Sequence, residues 1–253
     1  MKTMKLIKAH LLVVAVVLFG VQKGYSQSET IKVQSFNKVI ISPHVQVRFE
    51  KGIEESVTIL SNSEGKDKLN IEVNGKVLRI FLDDAKMTTK SEKVDYEGWK
   101  QKVPIYDGTV VTAVVTFKDI EELSLRGEED YDVIGLLKQD KFVLSIYGDS
   151  EVEFEEVDFM RLKTTIYGES ELKLKKGTIE DQKYTVYGEG EVNAKNISNK
   201  TTKVIAYGEG EFKLNVTERL KVTAYGEAEI EYSGNPTLKK GIVIGEATIE
   251  SRD

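Results

Sequence analysis

Tyr187-Gly-Glu-Gly-Glu-Val192 is one of five closely related hexapeptides in the second half of this 253-residue chain. Degenerate copies begin at Arg126 and Ile244. The first glycines of the copies are separated by 21, 20, 20, 20, 18 and 19 residues, a period that predicts a repeat architecture of stacked coils. The other four full copies are Tyr147-Gly-Asp-Ser-Glu-Val152, Tyr167-Gly-Glu-Ser-Glu-Leu172, Tyr207-Gly-Glu-Gly-Glu-Phe212 and Tyr225-Gly-Glu-Ala-Glu-Ile230.

The residues that flank each hexapeptide alternate between apolar and polar positions. Val222 and Ala224 bracket Thr223, for example, and the same pattern surrounds Glu153. Alternation with a period of two is typical of strands that bury one face, and the Asn or Cys ladder of leucine-rich repeats is lacking. The sequence therefore predicts an all-β fold, a parallel β-helix (β-solenoid) with coils of about 20 residues that stack about 4.8 Å apart.

The glycine of each hexapeptide is interpreted as a corner between strands. A sharp bend often requires a positive φ, which glycine adopts without a Cβ penalty. The residue after the glycine is acidic in nearly every copy, and the next residue is small. Because no helical pattern follows and the charge is negative, these sequences are not phosphate-binding loops.

The first half of the chain is also strand-like but less regular. Residues 27–253 are predicted to form one solenoid domain, irregular over 27–125 and regular over 126–253. Asn74-Gly75 lies between two apolar runs and predicts a two-residue hairpin. Residues 86–102 are polar, contain the only tryptophan, and are interpreted as a long loop or an excursion from the fold. The sequence leaves open whether the irregular part completes the same helix or forms a separate cap.

The N-terminus has the pattern of a targeting segment. Three lysines precede an apolar run at residues 11–19, and Gly24-Tyr25-Ser26 follows. The run is shorter than the roughly 20 residues that span a bilayer, so we expect residues 1–26 to be a signal peptide, cleaved after Ser26. The mature protein is then exported, to the periplasm, the outer surface or the medium, with no transmembrane segment. Since the chain has no cysteine, neither a lipid-carrying cysteine nor a disulfide is expected.

The net charge limits the class of partner. The whole chain carries −6, and loss of residues 1–26, which hold four lysines and no acid, changes this to −10. Nucleic acid requires a basic footprint, as does electrostatic docking on anionic lipid. We therefore expect no nucleic acid as partner. A glycan or an envelope or host protein is the expected partner on the grounds of the surface rows described below, and homo-oligomerisation stays open.

The corners and the end of the chain resemble a known family. The acidic glycine corners, Tyr232-Ser-Gly-Asn-Pro236 and the final Ile244-Gly-Glu-Ala-Thr-Ile249 are similar to the auto-transporter adhesin, head GIN domain proteins of Bacteroidetes. The resemblance runs from about Phe36 onward. It implies a right-handed parallel β-helix, export and an adhesive role. This chain differs in having Glu at many corners where the family has Ser or Asp.

Equivalent positions of stacked coils should form rows of like side chains. A row of tyrosines is predicted to point outward if the preceding residues point inward, and we expect it to stabilise the stack. We also expect the row to face a ligand, with rings for stacking and the neighbouring acids for hydroxyls. The predicted ligand-binding residues are Tyr147, Tyr167, Tyr187, Tyr207 and Tyr225.

Two acidic rows follow the glycines. They are interpreted as solvated corners, with weak Ca²⁺ binding by paired carboxylates as an alternative. Exposed carboxylates about 5 Å apart repel by only about 1 kcal/mol, and Lys173 and Lys213 are placed to relieve part of this. No other cofactor is expected. The predicted metal ligands are Glu169, Glu171, Glu189, Glu191, Glu209 and Glu211.

The chain has few side chains that are suited to catalysis. His44 is the only histidine outside residues 1–26, and thiolate, zinc or Ser-His-Asp chemistry is poorly supported. The leading hypothesis is therefore a non-enzymatic, adhesin-like envelope protein that presents an acidic–aromatic face to glycan or protein. The alternatives are a polysaccharide lyase or hydrolase, by analogy with other β-helices, and a structural spacer or assembly protein.

Overall fold

The computed structural model describes residues 28–96 and 99–252, and every regular element in this part of the chain is a β-strand. The predicted signal peptide, residues 1–26, lies outside the described residues. In chain order the strands are β1 (Glu29–Lys32), β2 (Lys38–Ile41), β3 (Val45–Lys51), β4 (Ser56–Asn62), β5 (Leu69–Asn74), β6 (Val77–Leu82), β7 (Ser91–Tyr96), β8 (Trp99–Pro104), β9 (Val111–Phe117), β10 (Glu122–Gly127), β11 (Tyr131–Gly148), β12 (Glu151–Gly168), β13 (Glu171–Leu174), β14 (Gly177–Gly188), β15 (Glu191–Gly208), β16 (Gly210–Tyr225), β17 (Ala228–Ser233), β18 (Thr237–Ile244) and β19 (Ala247–Ser251).

The regular coils, β11 to β17, stack in parallel with equivalent residues opposite one another. Tyr167 pairs with Tyr187, and Tyr187 with Tyr207. The predicted all-β parallel solenoid is therefore confirmed. The residues before the tyrosines form a column in the core, in which none is more than 1% exposed: Ile146, Ile166, Val186, Ala206 and Ala224.

Each regular coil has three faces. In the coil that begins at Glu151, buried and outward side chains alternate, but consecutive residues point outward at 155–156, 160–161 and 167–169. These three places are the corners of the coil. The stretch between the last two of these corners holds three buried side chains, those of Leu162, Thr164 and Ile166. We call the outer surface of residues 161–167, with the equivalent residues of neighbouring coils, the wide face.

Two physical reasons explain why glycine occupies the corners. The first was predicted: Gly148 and Gly168 have φ values of 127° and 117°. The second is close stacking, because a Cβ on Gly148 would lie 2.0 Å from the carbonyl oxygen of Gly127. The small residue two positions later points into the coil, where the hydroxyl of Ser170 donates to the carbonyl oxygen of Gly148 at 3.0 Å.

The irregular N-terminal part joins the same parallel stack, but not in chain order. β2 pairs in parallel with both β6 and β10, and β3 pairs in parallel with both β9 and β11. The coil formed by β2 and β3 therefore lies between two coils that follow it in the sequence. One cluster of buried apolar side chains runs through both parts, from Phe36 to Ile230.

Antiparallel strands cover the N-terminal end of this stack. β5 pairs with β6, β4 with β9, and β1 with β4, all antiparallel. An uncovered strand edge invites pairing with another chain, and here the outermost edges are the short strands β1 and β5. The open question is thus answered in both senses, since the described residues between 28 and 125 contribute both coils and a cap. We refer to β1, β4, β5, β6 and β9 as the N-terminal cap.

Two local predictions had different outcomes. The hairpin is confirmed, with Asn74 opposite Val77 and the loop at Gly75 and Lys76, one residue later than predicted. The loop predicted over residues 86–102 was wrong in part, because β7 and β8 form a separate antiparallel hairpin. Every residue of β8 is exposed, so no apolar alternation revealed this strand in the sequence.

Candidate functional site

The five predicted tyrosines form one straight stack at the edge of the wide face, which we call the tyrosine row. Their rings are nearly parallel, with interplanar angles of 2–5°. The centroid distances are 5.1 Å for Tyr147–Tyr167, 4.7 Å for Tyr167–Tyr187, 4.8 Å for Tyr187–Tyr207 and 4.9 Å for Tyr207–Tyr225.

This stacking determines which part of each ring a ligand can reach. Each interior ring has both faces covered by its neighbours, and the guanidinium of Arg126 covers Tyr147 at 4.1 Å from the ring centroid. Arg126 is the register equivalent of Tyr147 in the preceding coil. Tyr167 and Tyr187 are nevertheless 42% and 38% exposed. A ligand can therefore contact ring edges and hydroxyls along the row, whereas it cannot stack on the interior rings.

The predicted acidic residues lie in two rows beside the tyrosines. Backbone stacking fixes them, since the amide of Glu169 donates to the carbonyl oxygen of Gly148 and that of Glu189 to Gly168. A groove of about 490 Å³ runs between the rows in the later coils. Its acidic lining residues are Glu189, Glu191, Glu209, Glu211, Glu227, Glu229 and Glu246.

Two lysines bridge the carboxylates of the second acidic row. Lys173 Nζ lies 2.8 Å from oxygens of both Glu151 and Glu171. Lys213 Nζ lies 3.1 Å from Glu191 and 2.6 Å from Glu211, and hydrogen bonds with these carboxylates raise the pKa of Lys213 to about 12. The expected relief of repulsion by these lysines is confirmed. Within residues 28–96 and 99–252, no group of three or more His, Asp or Glu side chains is arranged to hold a metal ion, so Ca²⁺ binding stays a prediction.

The wide face also carries a row of lysines that the sequence analysis missed. The strand register places them opposite one another in successive coils. A signal was present, because four of them occur five residues before a corner glycine. We call this set the lysine row: Lys163, Lys183, Lys203, Lys221 and Lys239.

A separate pocket of about 660 Å³ lies where the tyrosine row ends at Arg126. His44 is in this pocket with φ 69°, its Nδ1 donating to the carbonyl oxygen of Gly108 at 2.7 Å and its Nε2 accepting from the hydroxyl of Thr89 at 2.6 Å. Glu129 also lines the pocket and is only 4% exposed, and burial raises the pKa of its carboxyl. Sequence reasoning missed Glu129, although it breaks the pattern of small residues at that corner position.

The family resemblance predicted from the corners was tested by comparison with known proteins. Residues 35–236 match the model of the family described as "putative auto-transporter adhesin, head GIN domain". The chain belongs to this family. The start of the matched range agrees with the extent predicted from Phe36 onward. The range ends at Pro236, so the final Ile244-Gly-Glu-Ala-Thr-Ile249, on which part of the resemblance rested, lies beyond it.

Solved structures show the same fold. A protein described as a "putative adhesin" from Bacteroides fragilis has a TM-score of 0.73 and 18% identity, covering 89% of this chain and 96% of its own. A "putative lipid binding protein" from Parabacteroides distasonis has a TM-score of 0.64 and 19% identity, covering 91% and 98%. A "putative adhesin" from Parabacteroides merdae has a TM-score of 0.59 and 20% identity, with the same coverage.

Two further findings concern the predicted class of exported binding protein. The search of curated proteins gave no match. In residues 28–96 and 99–252 no helix is both long and apolar enough to span a membrane. The family description is that of an adhesin-like protein, which agrees with the predicted surface or exported protein that binds a partner.

Proposed function

We propose that this protein is an exported, non-enzymatic binding protein of the cell envelope that presents its acidic–aromatic face to a glycan or protein. The observation that carries the proposal is the tyrosine row, an unbroken line of outward side chains beside the two acidic rows. Regular rows on a rigid solenoid form an extended surface of the kind that repeat proteins use for binding.

The contacts of such a partner follow from the ring geometry. Because the interior ring faces are covered, the phenol hydroxyls and the ring edges meet the ligand, with one hydroxyl about every 4.8 Å. A hydroxyl both donates and accepts, and an ionised carboxylate only accepts. The hydroxyls of a sugar or the backbone amides of a peptide are suitable partners for this combination.

Two observations support a binding protein over an enzyme. Both ring nitrogens of His44 are engaged by Gly108 and Thr89, so its imidazole is held as a structural group. The carboxylates of Glu191 and Glu211 are both paired with Lys213, so neither can act on a ligand without first giving up an ion pair. The family description as an adhesin points the same way.

The proposal is tested by replacing hydroxyls without disturbing the stack. Mature protein is titrated against a panel of envelope and host glycans and matrix proteins. The triple variant Tyr167→Phe, Tyr187→Phe and Tyr207→Phe retains the ring stacking but loses three hydroxyls. We expect the wild type to bind at least one panel member and the variant to bind it roughly tenfold more weakly, a loss of about 1.4 kcal/mol.

Stability and turnover provide the controls. The melting temperature of the triple variant should be close to that of the wild type, since only exposed hydroxyls are lost. A panel without any saturable binding would contradict the proposal. Release of new chain ends from a polysaccharide during the titration would contradict its non-enzymatic part.

A further inference from the structure

The lysine row is a line of positive charge on an otherwise acidic protein. None of its five lysines forms an ion pair or a side-chain hydrogen bond with the residues that the structure describes. Lys173 and Lys213, on another face, are by contrast each bonded to two glutamates. The chain thus pairs its lysines where they meet the acidic rows, and leaves them unpaired on the wide face.

The surroundings of the lysine row are also basic or neutral. A shallow groove of about 390 Å³ follows the row, and seven of the side chains that line it are lysine or arginine. Its one acid, Asp181, accepts a hydrogen bond from the hydroxyl of Thr201. On the side towards the tyrosine row, the next outward positions are Thr165, Thr185, Ile205 and Thr223.

Stacking in register brings these ammonium groups close to one another. Burial, and then repulsion from Lys203 and Lys163, lower the pKa of Lys183. No carboxylate contributes to this shift. A ligand that carries negative charge would offset the repulsion at every coil, whereas a cation or a neutral ligand would not.

We propose that the lysine row binds a linear acidic polysaccharide, which lies along the solenoid axis with its carboxylate or sulfate groups against the ammonium groups. This goes beyond the proposed function and rests on it only in treating the protein as a binding protein. The lysine row and the tyrosine row are four residues apart along each strand, about 13 Å. The two rows can therefore be tested separately.

The regularity of the row indicates a polymer. A straight rod with one ammonium group about every 4.8 Å matches a chain of regularly spaced anions, whereas a single small anion would use only one or two lysines. Thr165 and Thr223, which are half-buried beside the row, carry hydroxyls that can bond sugar hydroxyls. A surface that docks on a membrane interleaves basic with large apolar side chains, and the row next to the lysines holds one isoleucine among threonines.

The test measures binding of fluorescently labelled polysaccharides by full-length mature protein. Polygalacturonate carries carboxylates, dextran sulfate carries sulfates, and unmodified dextran is the neutral control. We expect saturable binding of at least one acidic polymer, weakened by NaCl because salt screens exposed charges, and no binding of dextran. The variant Lys183→Glu with Lys203→Glu should bind roughly tenfold more weakly or not at all.

A matched variant controls for net charge. Lys100→Glu with Lys102→Glu changes the charge by the same amount on the exposed strand β8, and it should bind like the wild type. Lys183→Gln with Lys203→Gln should give an intermediate loss, and circular dichroism confirms folding of all variants. The proposal would be overturned if the charge reversals on the lysine row and on β8 weakened polysaccharide binding equally. It would also be overturned if dextran bound as tightly as the acidic polysaccharides.

Two further measurements distinguish acidic polysaccharide from a membrane as the ligand of the lysine row, and distinguish this inference from the proposed function. Binding of vesicles that contain anionic lipid, with none of either acidic polysaccharide, would assign the row to a membrane and overturn the proposal. The variant with three Tyr→Phe changes should retain acidic polysaccharide binding. Suppose that the Tyr→Phe variant loses its panel ligand, and that Lys183→Glu with Lys203→Glu binds acidic polysaccharide as the wild type does. This inference then fails and the proposed function stands.

Discussion

The regular coils and the N-terminal cap bury the same kind of core by different means. In β11 to β17, each coil repeats the previous one, so like residues stack into rows of tyrosine, glutamate and lysine. In the cap, β6 and β9 continue the parallel stack, but the strands outside them turn antiparallel. The tyrosine row ends at Arg126, which pairs with Tyr147, and the lysine row ends at Lys163, which pairs with Val143.

This difference separates two requirements of the fold. A parallel stack needs only strands of matching length with alternating apolar residues, which both regions have. Within residues 28–96 and 99–252, the stacked glycine corners and the tyrosine row lie outside the cap. We infer that the repeat in the sequence is retained for the outer surface and its corners, since the cap fills its core without it.

The largest loss of stability is expected from a substitution that disrupts the corner geometry of the regular coils. Gly148→Ala would place a Cβ 2.0 Å from the carbonyl oxygen of Gly127, in addition to the strain of φ 127°. We expect a loss of roughly 4 kcal/mol or more in the free energy of unfolding, or failure to fold. Urea unfolding monitored by circular dichroism measures this loss.

A glycine of the cap supplies the control for that comparison. Gly75 also has a positive φ, 61°, but no atom lies within 4 Å of a Cβ built there. Gly75→Ala should therefore cost only about 1–2 kcal/mol, from the left-handed conformation alone. Similar losses at the two positions would mean that coil stacking does not constrain the corners.

A smaller effect tests whether the tyrosine row holds the regular coils together. Tyr187 stacks on two rings, at 4.7 and 4.8 Å, whereas Tyr225 stacks on one, at 4.9 Å. At about 0.5–1.5 kcal/mol per ring pair, Tyr187→Ala should cost about twice as much through stacking as Tyr225→Ala. Thermal unfolding of both variants measures the ratio, and equal losses would show that the row contributes through burial alone.

The sequence predicts most of the regular region because its signals are local and repeated. The corner glycines, the inward column from Ile146 to Ala224 and the outward tyrosines all follow from a period of 20 and an alternation of two. The path of the N-terminal part could not be predicted, because the position of β2 and β3 between later coils depends on long-range pairing. The exposed hairpin of β7 and β8 had no buried face to reveal it.

The candidate site was predicted in its residues but not in its chemistry. The position of the tyrosine row follows from the alternation, whereas the covering of its ring faces depends on rotamers that are fixed only when the coils stack. Similarly, the pattern gave the glutamates, but their pairing with Lys213 depends on neighbouring coils. The lysine row was missed because only the glycine motif was followed along the repeat.

The smallest expected effect lies at Glu129, where the two regions meet. Glu129 occupies the inward corner position that is serine, glycine or alanine in the regular coils, and its Oε2 accepts a hydrogen bond from the amide of Glu128 at 3.1 Å. Burial raises the pKa of its carboxyl. The stability that it contributes is therefore complete below the ordinary value of 4.5 and is lost as the pH rises through the raised pKa of the folded state.

Glu129→Gln should remove this loss, because the amide has the same shape and stays neutral. We expect the variant to unfold at a higher urea concentration than the wild type at neutral pH, with the difference shrinking as the pH falls below 4.5. Glu128→Gln, a neighbouring exposed change, should show no such pH dependence. If Glu129→Gln instead destabilises the protein at neutral pH, the carboxylate of Glu129 must be held ionised in the pocket, and the junction would be a polar site in its own right.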